Sequence, residues 1–197
     1  MQEFLIFGIY KIEFQEEMTE SLVQRIRNHD QQAMGALYQW SVGRLTSVCR
    51  RYVPDEDDAK DVLQNAFVRI FTALPTFEYR DEPTLLAWMR RIVVNEALRH
   101  LRDGRRLQFS ALDDEVGNTL ADEEPDVEQV TADELHRLVT ELPDGYRTVV
   151  NLFVFEGMSH RQIAQLLDIG ESTSASQFYH AKQLLAKRIK ELVKRKP

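Results

Sequence analysis

Between Leu107 and His136 the chain carries ten Asp and Glu residues and not one Lys or Arg. A run of this kind repels itself, and this one also contains Gly117 and Pro125 and shows no sustained apolar periodicity. It cannot enter a core, so it divides the chain. The parts on either side must each bury their own hydrophobic residues, and 197 residues in all leave both enough chain to do so. The expected organisation is a leader at 1–17, a first domain at 18–106, a flexible acidic linker at 107–132 and a second domain at 133–197. The leader contains the apolar run Phe4–Tyr10 but lacks a basic front end and a small-residue cleavage site. Met18-Thr-Glu-Ser reads as a natural start, which makes residues 1–17 an upstream extension of the reading frame or a disordered leader.

The same segregation resolves a contradiction in the charge. The net charge of −7 argues against nucleic acid, yet without 107–136 the chain holds 25 basic and 22 acidic residues. The stretch from Lys182 to Lys196 alone has seven basic residues and one acidic one. A local basic footprint on an acidic chain is therefore available. The single cysteine, Cys49, excludes a disulfide framework and a cysteine zinc site and fits a reducing, cytoplasmic compartment. The five histidines form no pair at metal-binding spacing, so neither metal nor cofactor is expected. No stretch approaches transmembrane length, so no membrane insertion is expected.

Both parts read as helical throughout, which makes the fold class all-α. Residues 20–53 carry a helical apolar pattern from Leu22 to Cys49. The next helix, about Asp57 to Leu74, places Ala59, Val62, Leu63, Ala66, Phe67, Ile70, Phe71 and Leu74 on one broad stripe. Its opposite face holds Asp61, Gln64, Asn65, Val68 and Thr72. Two readings of that face stand: a protein-contact surface, or plain solvent exposure. Pro75 ends the helix, and a polar loop with Phe77, Tyr79 and Arg80 follows. The helix from Pro83 to about Arg102 buries Leu85, Leu86, Met89, Ile92, Val93, Val94, Ala97, Leu98 and Leu101. Thr84, Trp88, Arg91, Asn95, Arg99 and Arg102 then recur at helical spacing along one stripe. An aromatic, an amide and three arginines provide stacking, base-edge and phosphate contacts, the combination that nucleic acid demands. The alternative turns Trp88 inward and leaves the arginines solvated. Arg105 and Arg106 extend the basic end.

After the linker come a short helix with Leu135, Leu138, Val139 and Leu142, a stop at Pro143, and a helix from about Asp144 to Glu156 ended by Gly157. Residues 159–182, SHRQIAQLLDIGESTSASQFYHAK, then give a Ser-capped short helix, a break at Asp168-Ile169-Gly170 and a long second helix. That spacing is a helix-turn-helix, whose second helix offers its early side chains to the major groove. The candidates are Arg161, Ser172, Thr173, Ser176, Gln177, Tyr179, His180 and Lys182. An ordinary helical hairpin is the competing reading of this stretch taken alone.

Together the motifs resemble those of the extracytoplasmic-function sigma factors, small two-domain bacterial transcription initiation factors. Asp58-Ala59-Lys60-Asp61-Val62-Leu63-Gln64-Asn65-Ala66-Phe67 is similar to the family's DAxDxxQxxF pattern, on a helix that docks on the β′ clamp helices of core RNA polymerase. The resemblance assigns polymerase binding to Asp58, Asp61, Gln64, Asn65 and Val68. Trp88-Met89-Arg90-Arg91-Ile92-Val93-Val94-Asn95 is similar to WLxRIxxN, which captures the non-template strand of the −10 element, and the loop Thr76–Thr84 corresponds to one that pockets a flipped base. Leu142-Pro143-Asp144-Gly145-Tyr146-Arg147 and Glu156-Gly157-Met158-Ser159 resemble the landmarks LPxxYR and EGxS. They belong to the domain that reads the −35 element and meets the β flap. The implied partners are core polymerase, promoter DNA and an anti-sigma factor. The second helix departs from the family pattern: Ser174 stands on a core-facing position where valine is usual, and Ala175 and Gln177 replace common basic residues. Its STS-x-SQ form resembles a subgroup associated with the Bacteroidetes lineage.

A stand-alone helix-turn-helix regulator would account for the second domain equally well. It gives no reason for the Asp61/Gln64/Asn65 face or the Trp88/Arg91/Asn95 stripe. An enzyme with a DNA-targeting tail lacks any catalytic set to support it.

Overall fold

The computed structural model describes residues 19–104, 107, 109 and 129–196. The expected leader, Arg105, Arg106 and most of the expected linker lie outside the described residues. Within them the chain forms eight α-helices and no strand. By internal contacts it divides into two compact units. The first comprises residues up to Cys49 together with Glu56–Ala97, and the second Arg50–Asp55 together with Leu98 onward.

The first unit is built on α1 (Glu20–Arg27), α2 (Gln31–Tyr52) as far as Cys49, α3 (Glu56–Ala73) and α4 (Glu82–Asp103) as far as Ala97. The helical pattern over 20–53 forms two helices. It is broken at Asn28–Asp30, where His29 takes a left-handed φ of 60°. Asp30 stabilises the new start by accepting from the backbone N–H groups of Gln32 and Ala33 at 2.9 and 3.2 Å. It also receives the Arg25 guanidinium at 2.8 Å. The Arg25 bond, then the Ala33 amide, hold the Asp30 carboxyl below its usual range. The core fills with Leu22, Val23, Leu37, Leu45, Val62, Phe67, Ile70, Leu85, Met89 and Val93, all buried. Side chains of this size contribute roughly 1.5–3 kcal/mol each when fully buried. Leu63, Phe71, Leu86 and Ile92 fall at the margin of that core, half-buried. A 3₁₀ turn, Leu74–Thr76, closes α3 at Pro75. Asp81 caps α4 by accepting from the Thr84 backbone N–H at 2.7 Å, which puts Pro83 in the first turn.

In the second unit α5 (Ala132–Thr140) begins with a capping box in which Thr131 and Glu134 bond each other reciprocally. The expected helix over 144–156 is instead α6 (Asp144–Val150) running into a π turn, Asn151–Phe155. Gly157 then turns the chain at a φ of 66°, a conformation that glycine adopts without strain. α7 (His160–Leu167) and α8 (Glu171–Lys194) complete the unit. Val139, Leu142, Tyr146, Val150 and Ala181 form a core with Phe178, Leu184 and Leu185 packed against it. Arg147, the last residue of the LPxxYR stretch, is buried and donates to the carbonyls of Leu142 and Thr140 at 2.7 and 3.2 Å while pairing with Asp144. It ties the α5–α6 turn to itself.

Candidate nucleic-acid and protein interfaces

The outer face of α3 carries the first group. Asp61, Gln64 and Asn65 are exposed and Asp58 is half-buried, while Ala59, Val62, Ala66 and Ile70 face the core. Val68 is 61% exposed although every other Val, Ile and Leu on this helix is at least half-buried. The face is thus an acid-and-amide surface with one apolar contact point. The hydroxyl of Thr72, one turn further on, donates to the Val68 carbonyl at 2.7 Å.

α4 presents the second group. Arg91, Asn95, Arg99 and Arg102 are exposed on the helix, and Thr84 and Trp88 are half-buried at its start. Trp88 does not turn into the core. Its ring lies against Phe77, with centroids 4.6 Å apart and planes at 30°. The Phe77 carbonyl in turn accepts from the Arg27 guanidinium at 2.5 Å. The loop after α3 therefore braces the aromatic end of the stripe, and α1 braces the loop. The sequence signal for Phe77 was only its place in a polar loop, and Arg27 had none. Arg99 lies 3.7 Å from Asp103, so one of the three arginine charges is partly offset. The buried carboxylate of Glu96 pairs with Arg69 of α3 at 2.5 Å, which holds the two helices in register.

The third group sits on the helix-turn-helix. Ser159 caps α7 through a capping box with Gln162, and Asp168 ends it in the left-handed region at a φ of 56°. Ser172, Ser176, Tyr179 and Lys182 of α8 and Arg161 of α7 are exposed, and Thr173 and His180 are half-buried. Tyr179 accepts from Gln183 at 2.7 Å, and the Lys182 ammonium lies 5.4 Å from the Phe178 ring. The His180 ring stacks toward Tyr146 at 6.2 Å.

Gln177 does not join this face. It is only 3% exposed, on the core side with Ser174 and Ala181, so its assignment as a base-contacting residue is corrected. Successive spacings of three and four residues, from Ser174 to Gln177 to Ala181, already put it there. Ser174, expected on a core-facing position, is fully buried.

Among the described residues no helix is long and apolar enough to cross a membrane, and no cluster of His, Cys, Asp or Glu could hold a metal ion.

Comparison with known proteins agrees in both halves. The family model described as Sigma-70 region 2 matches residues 37–107, and the one described as Sigma-70, region 4 matches residues 132–185. The chain is 29% identical over 192 residues to the ECF RNA polymerase sigma-E factor of Escherichia coli (strain K12), covering 91% of this chain and 99% of that one. It is 28% identical over 190 residues to the ECF RNA polymerase sigma-E factor of Haemophilus influenzae, covering 90% and 99%. Against the RNA polymerase sigma-H factor of Pseudomonas aeruginosa it is 28% identical over 190 residues, covering 91% and 97%.

Proposed function

Since the chain belongs to the sigma-70 family of RNA polymerase sigma factors, in its extracytoplasmic-function branch, we propose how its three exposed faces divide the work of starting transcription. A sigma factor is an initiation factor and not an enzyme, so each face acts by binding. Asp58, Asp61, Gln64, Asn65 and Val68 dock on the β′ clamp helices. Thr84, Trp88, Arg91, Asn95, Arg99 and Arg102 capture the non-template strand of the −10 element. Arg161, Ser172, Thr173, Ser176, Tyr179, His180 and Lys182 read the −35 element, and the second unit meets the β flap.

The observation that carries this reading is the juxtaposition on α3 and α4. A tryptophan braced by Phe77 heads a row of exposed arginines and one amide, and an acid-and-amide face lies on the helix packed beside it. An aromatic in that position suits stacking on an unpaired base, which duplex DNA does not offer. Because the basic area is small and split between two units, the free protein should bind duplex promoter DNA weakly.

Cytoplasmic placement and control by an anti-sigma factor belong to the same reading. The Ser172-Thr173-Ser174 and Ser176-Gln177 pattern supports membership of the Bacteroidetes-type subgroup. The test is to overproduce the protein in its host and sequence the transcript 5′ ends that arise. A shared pair of elements upstream of the new starts is expected; new starts with no common −10 element would overturn the assignment of the α4 stripe.

A further inference from the structure

Several otherwise unexplained features of the second unit meet at one point. Ser174 places a hydroxyl at 0% exposure inside α8. A buried hydroxyl without a partner costs free energy, so its presence needs a reason. That reason is His160, the first residue of α7, whose Nδ1 lies 3.0 Å from the Ser174 Oγ. The imidazole is itself held between aromatic rings. It stacks on Phe153 at 4.7 Å and 20°, and meets Phe178 of α8 at 5.8 Å, while Phe153 and Phe178 touch at 4.5 Å. Phe153 belongs to the π turn, whose extra residue alters the register of side chains leaving α6.

The bond joins the first turn of α7 to the first turn of α8. Each carries polar surface residues next to the bonded pair: exposed Arg161 beside His160, and exposed Ser172 and Ser176 with half-buried Thr173 around Ser174. Apolar contacts alone hold two helices within a range of sliding and rotation, whereas a directional bond sheltered from water on one side selects one setting. Base-edge readout by short side chains such as serine tolerates little misplacement, because they cannot reach to compensate.

We propose that His160 and Ser174 form a positioning pair that sets α8 against α7 for −35 reading, with the π turn supplying the aromatic wall that fixes the imidazole. Neither residue touches DNA; both act through the side chains that do. The inference rests on the assignment of α8 as the −35 reader.

The experiment uses the full chain with core polymerase. It measures run-off transcription from a promoter mapped by transcript 5′ ends, against the same promoter with its −35 element scrambled. Ser174→Ala removes the hydroxyl without adding bulk, and His160→Phe keeps the ring stack but loses the nitrogen. Each is expected to lower the ratio of the two promoters by about tenfold, in the range for a buried polar group that loses its partner. Core binding and the thermal midpoint of the first unit should be unchanged. The double variant should be no worse than either single one, because both remove the same bond. A Ser174→Ala protein with lowered thermal stability but an unchanged ratio would overturn the proposal and leave the bond a folding feature. So would single effects that multiply in the double variant. Ser172→Ala with Ser176→Ala is the control for the reader itself. If that variant also leaves the ratio unchanged, α8 is not the −35 reader, and the failure lies with that assignment.

Discussion

The ring of Trp88 rests on the ring of Phe77 at 4.6 Å, and the Phe77 carbonyl is held by Arg27 from a different helix. The aromatic that heads the α4 stripe is therefore positioned before any DNA arrives. Pre-set groups lose less conformational entropy on binding. Phe77→Ala should leave the Trp88 indole mobile and slow formation of the melted complex without weakening attachment to core polymerase. Permanganate reactivity of unpaired thymines at the −10 element would read this directly. Trp88→Ala should do more, since loss of a base-stacking aromatic costs roughly 1–3 kcal/mol.

Asp61 and Gln64 project from α3 away from its buried stripe. Asp61→Ala combined with Gln64→Ala should preserve the helical circular dichroism spectrum and the thermal midpoint while weakening the complex with core polymerase. Co-purification with tagged core checks this. Undiminished recovery would remove the α3 face from the interface.

Asn95 lies exposed midway along the row of arginines. Asn95→Ala should reduce discrimination at one −10 position by about 1–3 kcal/mol, the worth of a good amide-to-base contact. The arginines should instead affect all sequences alike, with Arg91→Ala lowering the salt dependence of strand binding by roughly one phosphate contact. Ranking a set of −10 variants with each mutant separates the two roles.

Glu134 gives a pH dependence. The Lys196 ammonium first, then the Thr131 backbone N–H, hold its carboxyl down to about 2, where an ordinary glutamate sits at 4.5. A carboxyl depressed on folding contributes stability that is fully present above pH 4.5 and is lost as the pH falls toward 2. The contribution is small, because solvent still reaches the pair and screens it. Glu134→Gln should flatten the acid dependence of second-unit unfolding across that window and change little at neutral pH. Far-UV thermal melts at stepped pH measure it.

The sequence was most informative where one face of a helix had to be apolar. The stripe of α3 and the core side of α4 emerged at the right residues because burial demands a 3.6-residue period. The helix-turn-helix emerged because Ser159 and Asp168 mark the ends of its first helix by local chemistry. Features that the apolar period does not record were not legible. The break at Asn28–Asp30 left that pattern intact and is stabilised by Asp30, which pairs with Arg25. The π turn follows a run of residues equally suited to an α-helix. Phe77 gained its role only through Trp88 and Arg27. Gln177 looks like a recognition residue by type and is interior by position, whereas the core-facing place of Ser174 was legible from its register.

The central claim is that this chain makes core polymerase start at promoters of its own. Purified protein added to core RNA polymerase, on a template carrying a promoter mapped from its overproduction, tests it in one run-off assay. A transcript of defined length that appears only when the protein is present is the predicted result. No transcript with the protein and core alone, but a product once a different sigma factor is supplied, would contradict the account.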